Sequence, residues 1–282
     1  MREQPAKHYR QKTILEAFLS DDYMFAAVMA NKEICKEFLA ALLGWQIEDI
    51  FYFERQKTIY DARDHRSIRL DVYVKDGKGS IYNVEMQNAN DRALPRRARF
   101  YQSGIDRTAL GKGDRFSNLP ESYVIFVCNF DLFGYGEPVY KRTQSIAGHE
   151  DFAYEDGSHV FILNSKFAEN KVGNTDTRIL EFLKLIRDPE SITTSDFAEN
   201  IKRTIHEIQT DKEQGERYMT FQQKMDELAY RTREEGRAEG LAEGRAELIS
   251  RIVANKFPLE TAVLLGVSEE EYRAALRDGE KK

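Results

Sequence analysis

Between Asp22 and Leu43 the apolar residues fall at Phe25, Val28 and Met29, then at Ile34, Phe38, Leu39, Leu42 and Leu43. That three-and-four spacing is one face of a helix, and its interruption near Asn31 predicts two short helices. The period then shortens. Asp49 to Tyr60, Ser67 to Lys75 and Ser80 to Gln87 read as strands, the last two joined by the turn sequence DGKG, so an antiparallel meander is expected. Leu94, Ala98, Tyr101, Ile105 and Ala109 restore the helical period from about Pro95 to Leu110, with Pro95 suited to a first turn and Gly111 and Gly113 beyond the end. Tyr123 to Phe130 and His159 to Leu163 are apolar on both parities, the pattern of strands covered on both faces.

Beyond Pro189 the sequence turns polar and helical. The domain reading is therefore an α/β domain over residues 1–190 and a helical C-terminal extension over 191–282. Within the extension Gly236, Gly240 and Gly244 repeat every four residues beside Glu235, Glu239 and Glu243. Each glycine costs a helix about 1 kcal/mol, while the surrounding Ala, Glu and Arg favour it. Two readings stand: a weak solvated helix, or a stripe of small residues against which a second copy docks, giving a homo-oligomer through this helix. The end, FPLETAVLLGVSEEEYRAAL, reads as two short helices turning at Gly266, with Ser268 and Glu271 as a capping box. Three consecutive glutamates in the second helix speak against a DNA-reading helix-turn-helix there.

Composition narrows the class. A chain of 282 residues with 41% hydrophobic content, 17 Phe and 14 Tyr can bury a full α/β core. The net charge of -6 and pI of about 5.6 exclude a generic polyanion binder, so any nucleic-acid surface is local. Such a local patch exists: Arg92, Arg96, Arg97, Arg99, Arg107, Lys112 and Arg115 stand against only Asp106 and Asp114. Arg97 and Tyr101, one helical turn apart, share a face and are the best pair to point into a catalytic site, and with Arg96 they are the expected DNA contacts. The alternative is that these arginines pair with surface carboxylates. Cys35 and Cys128 sit in apolar contexts and read as reduced, buried thiols. The opening MREQPAKHYRQK reaches no apolar h-region, and no stretch approaches the ~20 apolar residues of a membrane span. The expectation is a soluble, cytoplasmic protein with no membrane partner.

The chemistry gathers on the hairpin. In RLDVYV the apolar Leu70, Val72 and Val74 alternate with Arg69, Asp71 and Tyr73, and in IYNVEMQ Tyr82, Val84 and Met86 alternate with Asn83, Glu85 and Gln87. A hairpin symmetric about Lys78 sets Asp71 opposite Glu85, Arg69 opposite Gln87 and Tyr73 opposite Asn83. A one-residue slip would break the match of apolar faces. Two carboxylates facing each other lie about 5 Å apart at Cβ and repel, so they call for a cation or a shared proton. Mg²⁺, or Mn²⁺, fits Asp71 and Glu85 together with the backbone carbonyl of Met86, and supports phosphodiester hydrolysis with Gln87 orienting a water. The competing reading is a solvated hairpin face on which Arg69 neutralises the acids.

These segments, DDYMFAAV, RLDVYV, NVEMQ, RRARFYQSGIDRTALGKGDRFSNLP and YVIFVCNFDLF, together with the tail repeat, resemble the Rpn family of recombination-promoting nucleases and transposases within the PD-(D/E)XK superfamily. The resemblance runs from about residue 20 to 190. It implies a restriction-endonuclease-like α/β core with a mixed central sheet, a divalent metal and DNA as substrate: a Mg²⁺-dependent deoxyribonuclease promoting recombination or transposition. Asp71 and Glu85 fall where the family has its ligands, and Gln87 where the wider superfamily has lysine. Glutamine is neither a general base nor a cation, which leaves a second reading open: a catalytically weak or inactive DNA-binding or assembly protein. Asp22 matches an acidic position of the family's first motif as a supporting catalytic ligand, with Glu37 as the alternative.

Overall fold

The computed structural model describes residues 12–59, 68–90 and 92–279. Two helices open the fold, α1 (Asp22–Met29) and α2 (Lys32–Leu43). Asp21 caps α1 by accepting the Tyr23 and Met24 N–H groups, and Asn31 caps α2 through Glu33 and Ile34, which is why the helical pattern breaks at that point. Gly44, left-handed at φ 82°, closes α2. The strands β1 (Ile50–Ile59), β2 (Ile68–Asp76) and β3 (Ile81–Gln87) form the expected antiparallel meander. Next come α3 (Leu94–Ala109), with Pro95 in its first turn, β4 (Ser122–Cys128), β5 (Val139–Lys141), a small hairpin of β6 (Ser145–Ile146) and β7 (His149–Ala153), and β8 (Ser158–Asn164). The helices α4 (Thr177–Arg187), α5 (Asp196–Thr210), α6 (Lys212–Ala254), α7 (Leu259–Leu264) and α8 (Glu269–Gly279) follow.

The main sheet is mixed, in the order β1-β2-β3-β4-β8-β5. β3, β4 and β8 run parallel, while β1, β2 and β5 are antiparallel to their neighbours. Both faces are covered. α3 packs on β4 and closes a core of Tyr73, Ile81, Leu94, Ala98, Ile105, Val124, Phe126, Val160 and Ile162. The opposite pleat, Val72, Val74, Val84, Met86, Ile125 and Val127, is equally buried. α1, α2, α4 and α5 pack together about Phe25, Phe38, Phe182 and Phe197, with Phe38 and Phe182 4.8 Å apart at their centroids. The hairpin face carrying Asn83 and Glu85 is therefore not solvated: these side chains are 0% and 2% exposed.

Two compact units divide the chain, Met1–Met219 and Thr220–Lys282. α5 lies past residue 190, where the helical extension was expected to begin. It packs with the first unit because its stripe of Phe197, Ala198 and Ile201 is apolar and buried. In the second unit Ile252, Ala262 and Val267 form a small core with Ile249 and Tyr272. The expected capping box is present there, Ser268 N donating to Glu271 at 2.9 Å and Glu271 N to Ser268 Oγ at 3.3 Å. Both cysteines are free and buried, and burial pushes each thiol up to about 12. Among the described residues no helix is long and apolar enough to cross a membrane.

One residue pins the register that matters. Asp76 Oδ1 accepts the N–H groups of Lys78 and Ser80, each at 2.9 Å, and its Oδ2 accepts Tyr82 Oη at 2.8 Å, while Gly79 supplies φ 85°. The resulting pairs, Val72 with Val84 and Tyr73 with Asn83, are those the alternating pattern predicts. Asp76→Ala removes the acceptor of all three bonds in a buried turn, and we expect a loss of roughly 3 kcal/mol in urea unfolding. Tyr82→Phe, which removes one bond, is expected to lose roughly 1 kcal/mol. Equal effects of the two substitutions would show that the turn is held by other contacts.

Candidate active site

β2 and β3 place the two acids. Past the Val72–Val84 pair, the Asp71 backbone N–H donates to Glu85 Oε1 at 3.0 Å. The Glu85 side chain thus folds across to β2, beside the Asp71 carboxylate. Burial, then the Asp71 charge, hold the Glu85 carboxyl well above the usual carboxylate range. The Asp71 N–H, Asn83 and the Arg97 guanidinium act in the opposite direction without cancelling it. A buried acid that resists ionisation beside a second acid is a group in want of positive charge.

Part of that charge comes from α3. Arg97 Nη1 donates to Gln87 Oε1 at 2.8 Å and Nη2 to Tyr101 Oη at 2.9 Å, and the guanidinium lies over the rings of Tyr101 and Phe126 at 5.5 and 5.7 Å. The face shared by Arg97 and Tyr101 turns toward the acids, and the guanidinium is held there by Gln87 and Tyr101. The Tyr101 hydroxyl is raised by burial and by the Glu85 charge, so it stays protonated. Gln87 uses its amide twice, Nε2 donating to the Met86 carbonyl at 2.8 Å while Oε1 receives Arg97. The Met86 carbonyl thereby has one lone pair engaged and faces the Gln87 side chain. Arg96 lies on the exposed side of α3.

The remaining sequence candidates separate. Asp22 is exposed at the start of α1, and Asn88, directly after β3, joins it to the site by donating to Ser20 O at 2.8 Å and to Asp22 Oδ1 at 3.3 Å. Glu37 lies in α2 and pairs with Arg178 of α4 at 3.5 Å. Arg69 has a described backbone, but its side chain lies outside the described residues.

Two contributors were not picked out from the sequence. Asn88 tethers α1 to the end of β3, and its only signal was its place immediately after Gln87. Asn83 carried more, since it alternates with Glu85 on one pleat. Its amide is fully buried beside the Glu85 carboxyl, on which it acts, and among the described residues neither its nitrogen nor its oxygen makes a hydrogen bond of good geometry. Such an orphan is costly unless something else completes the site.

Among the described residues no group of three or more His, Cys, Asp or Glu gathers as a metal cage. Asp71 and Glu85 nonetheless suit a hard divalent ion of the Mg²⁺ kind, which uses one or two carboxylates and takes the rest of its oxygens from water and substrate. The raised Glu85 carboxyl and the orphaned Asn83 amide beside it both agree with a site built to receive a cation.

A protein-family model described as PD-(D/E)XK nuclease family transposase matches residues 20–237. No curated protein matches this chain, and no solved structure does.

The geometry separates neighbouring arginines. Arg97→Ala leaves Gln87 Oε1 and Tyr101 Oη without their shared donor, and we expect it to destabilise the protein by roughly 1–3 kcal/mol in denaturant unfolding. Arg97→Lys should recover only part of this, because an ammonium cannot reproduce the guanidinium fork. Arg96→Ala should leave stability unchanged but lower the salt dependence of DNA binding by about one phosphate contact. The reverse pattern, with Arg97 setting the salt slope and Arg96 the stability, would contradict this assignment.

Proposed function

The chain belongs to the PD-(D/E)XK nuclease family transposases, and on that premise we propose that it is a Mg²⁺- or Mn²⁺-dependent DNA endonuclease that hydrolyses phosphodiester bonds in recombination or transposition, in the manner of the Rpn family. The observation that carries this reading is the buried Glu85 carboxyl set against Asp71, with the Arg97 guanidinium and the Gln87 amide beside them. Asp71, Glu85 and the Met86 carbonyl would hold the ion, with Asp22 in support. When bound, such an ion supplies Lewis acidity that activates water and offsets charge on the phosphodiester.

The chain's own groups do the rest. Gln87, fixed at both ends by Met86 and Arg97, orients a water but cannot take its proton. Arg97, permanently charged, provides near the scissile phosphate the positive charge that lysine provides elsewhere in the superfamily. Tyr101 holds the guanidinium in place and remains a neutral donor. Arg96 and its exposed neighbours on α3 hold the DNA backbone. We place the activity in the cytoplasm, where the two thiols stay reduced. A second reading has one observation in its favour, the glutamine in the lysine position: a nuclease-like protein with weak or no catalysis that binds DNA or assembles on it.

Supercoiled plasmid incubated with Mg²⁺ or Mn²⁺ separates the two. We expect relaxed or linear product from the wild type, none in EDTA, and from Asp71→Asn a loss of roughly a hundredfold or more, the scale on which preorganised electrostatic contacts act. Metal-free Asp71→Asn should unfold at the same or a slightly higher temperature than wild type, since it removes the charge that opposes Glu85 ionisation, and it should lose the metal-induced thermal shift. Plasmid that is retarded but never cut, with either metal, would favour the binding reading.

The tail supports a homo-oligomer. A Cβ at Gly236, Gly240 or Gly244 would meet open space within the chain, so nothing inside one copy requires glycine there. Replacing all three by Ala should raise helix content and lower the mass seen by light scattering, if a second helix needs the close approach. A wild type that is already monomeric would dispose of the idea.

A further inference from the structure

A cavity of about 190 Å³ lies on the other flank of α3. Its walls are Pro95 and Ala98 of α3, Val160 and Ile162 of β8, Tyr140 of β5 and Phe133 in the loop after β4. Helical spacing accounts for the arrangement. The buried stripe of Leu94, Ala98 and Ile105 faces the sheet, with Arg97 and Tyr101 on one side of it and Pro95 on the other. One short helix width therefore separates this cavity from the acid pair, on the same face of the sheet.

The aromatic wall is held ready by Asp131. Its Oδ1 accepts the Phe133 N–H at 3.2 Å and Tyr140 Oη at 2.8 Å, and further bonds come from the Gly134 and Gly136 N–H groups. The two rings meet edge to face, 4.9 Å between centroids, yet Phe133 stays 45% exposed. Arg142, which also lines the cavity, is braced against Ser158 at 2.7 Å to Oγ. Arg96 and Arg99 stand on the exposed side of α3, and among the described residues neither has a hydrogen-bond or ion-pair partner.

These features select an occupant. The volume is below the roughly 300 Å³ of a site for a drug-sized molecule, and so admits one ring system. An apolar slot walled by aromatic rings suits a flat π-system, and Arg96 and Arg99, without carboxylate partners among the described residues of a chain of net charge -6, suit a ligand attached to phosphates. We propose that the cavity seats an unpaired nucleobase of the strand whose phosphodiester lies at Asp71 and Glu85, which rests on the nuclease reading above. The protein thus acts on single-stranded, mismatched or opened DNA. A base leaving the stack at one flank of α3 brings the neighbouring backbone over its arginines toward the acids.

The test compares a short single-stranded oligonucleotide with its fully abasic counterpart, both titrated into the full chain in EDTA so that no strand is cut. We expect the wild type to bind the base-bearing strand roughly tenfold more tightly, in keeping with aromatic stacking of a single base. Phe133→Ala should bring that ratio close to one, and Phe133→Trp should restore it, with circular dichroism recording that each variant is folded. Equal binding of both strands by the wild type would overturn the proposal and leave the cavity to another occupant, such as an apolar side chain of a protein partner. A ratio that Phe133→Ala leaves intact would overturn it too. Plasmid cleavage by the wild type is scored in parallel. Base-dependent binding without cleavage keeps the base pocket while rejecting the nuclease, and cleavage with base-independent binding does the opposite.

Discussion

The burial of two facing carboxylates, one of them almost wholly removed from water, governs the arrangement around it. Glu85 sits on an inner strand of a sheet covered on both faces, where an unpaired negative charge is far more costly than at a surface. Three nearby polar groups answer that cost. The Asp71 N–H donates to Glu85, Arg97 extends from α3 to offset negative charge, and Gln87 fixes Arg97 at the required place. The compensation is incomplete, since the Glu85 carboxyl stays raised and the Asn83 amide makes no hydrogen bond of good geometry among the described residues. An incompletely neutralised site is disfavoured in a resting core and useful in one that receives a cation and a phosphate.

The sheet explains why this happens at β3. On one side β3 pairs antiparallel with β2, through a turn that Asp76 fixes, and this sets Asp71 beside Glu85. On the other it pairs parallel with β4. The carboxyl ends of the parallel strands then open toward the segments that follow them, the usual place for ligands in open α/β sheets. From there come Asn88 and α3 after β3, and the Asp131 loop after β4. α3 divides this edge, with the acid pair on one flank and the aromatic cavity on the other. A single helix thereby relates the two chemistries.

Gln87, set by the resemblance where lysine is expected, reads differently with the structure in hand. As an isolated residue Gln87 lacks both charge and basicity. In place, its oxygen receives a guanidinium from a different element, so positive charge reaches the same spot by another route. Charge at a site is a property of what converges in space, and a motif written along one strand records only part of it.

Much was determined by the sequence alone. Local periodicity and capping chemistry act over a few residues, so the two opening helices, the meander and its register, α3, the inner strands β4 and β8, and the Ser268 capping box were all legible. The alternation of Asp71 and Glu85 against apolar neighbours identified the acid pair for the same reason. Tertiary structure decided the rest. Burial of the Asn83 and Glu85 face depends on α3 folding back over it, which no period within β3 encodes. The face that Arg97 shares with Tyr101 followed from their spacing, but the bond from Arg97 to Gln87 needed α3 packed against the sheet. The pairing of Glu37 with Arg178 needed α4 in place. β5 is three residues long and made by pairing with β8, and the Phe133 and Tyr140 wall exists only because Asp131 gathers groups from a whole loop. Sequence carries interactions that repeat with the period of one element; contacts between elements far apart along the chain appear only once the core has closed.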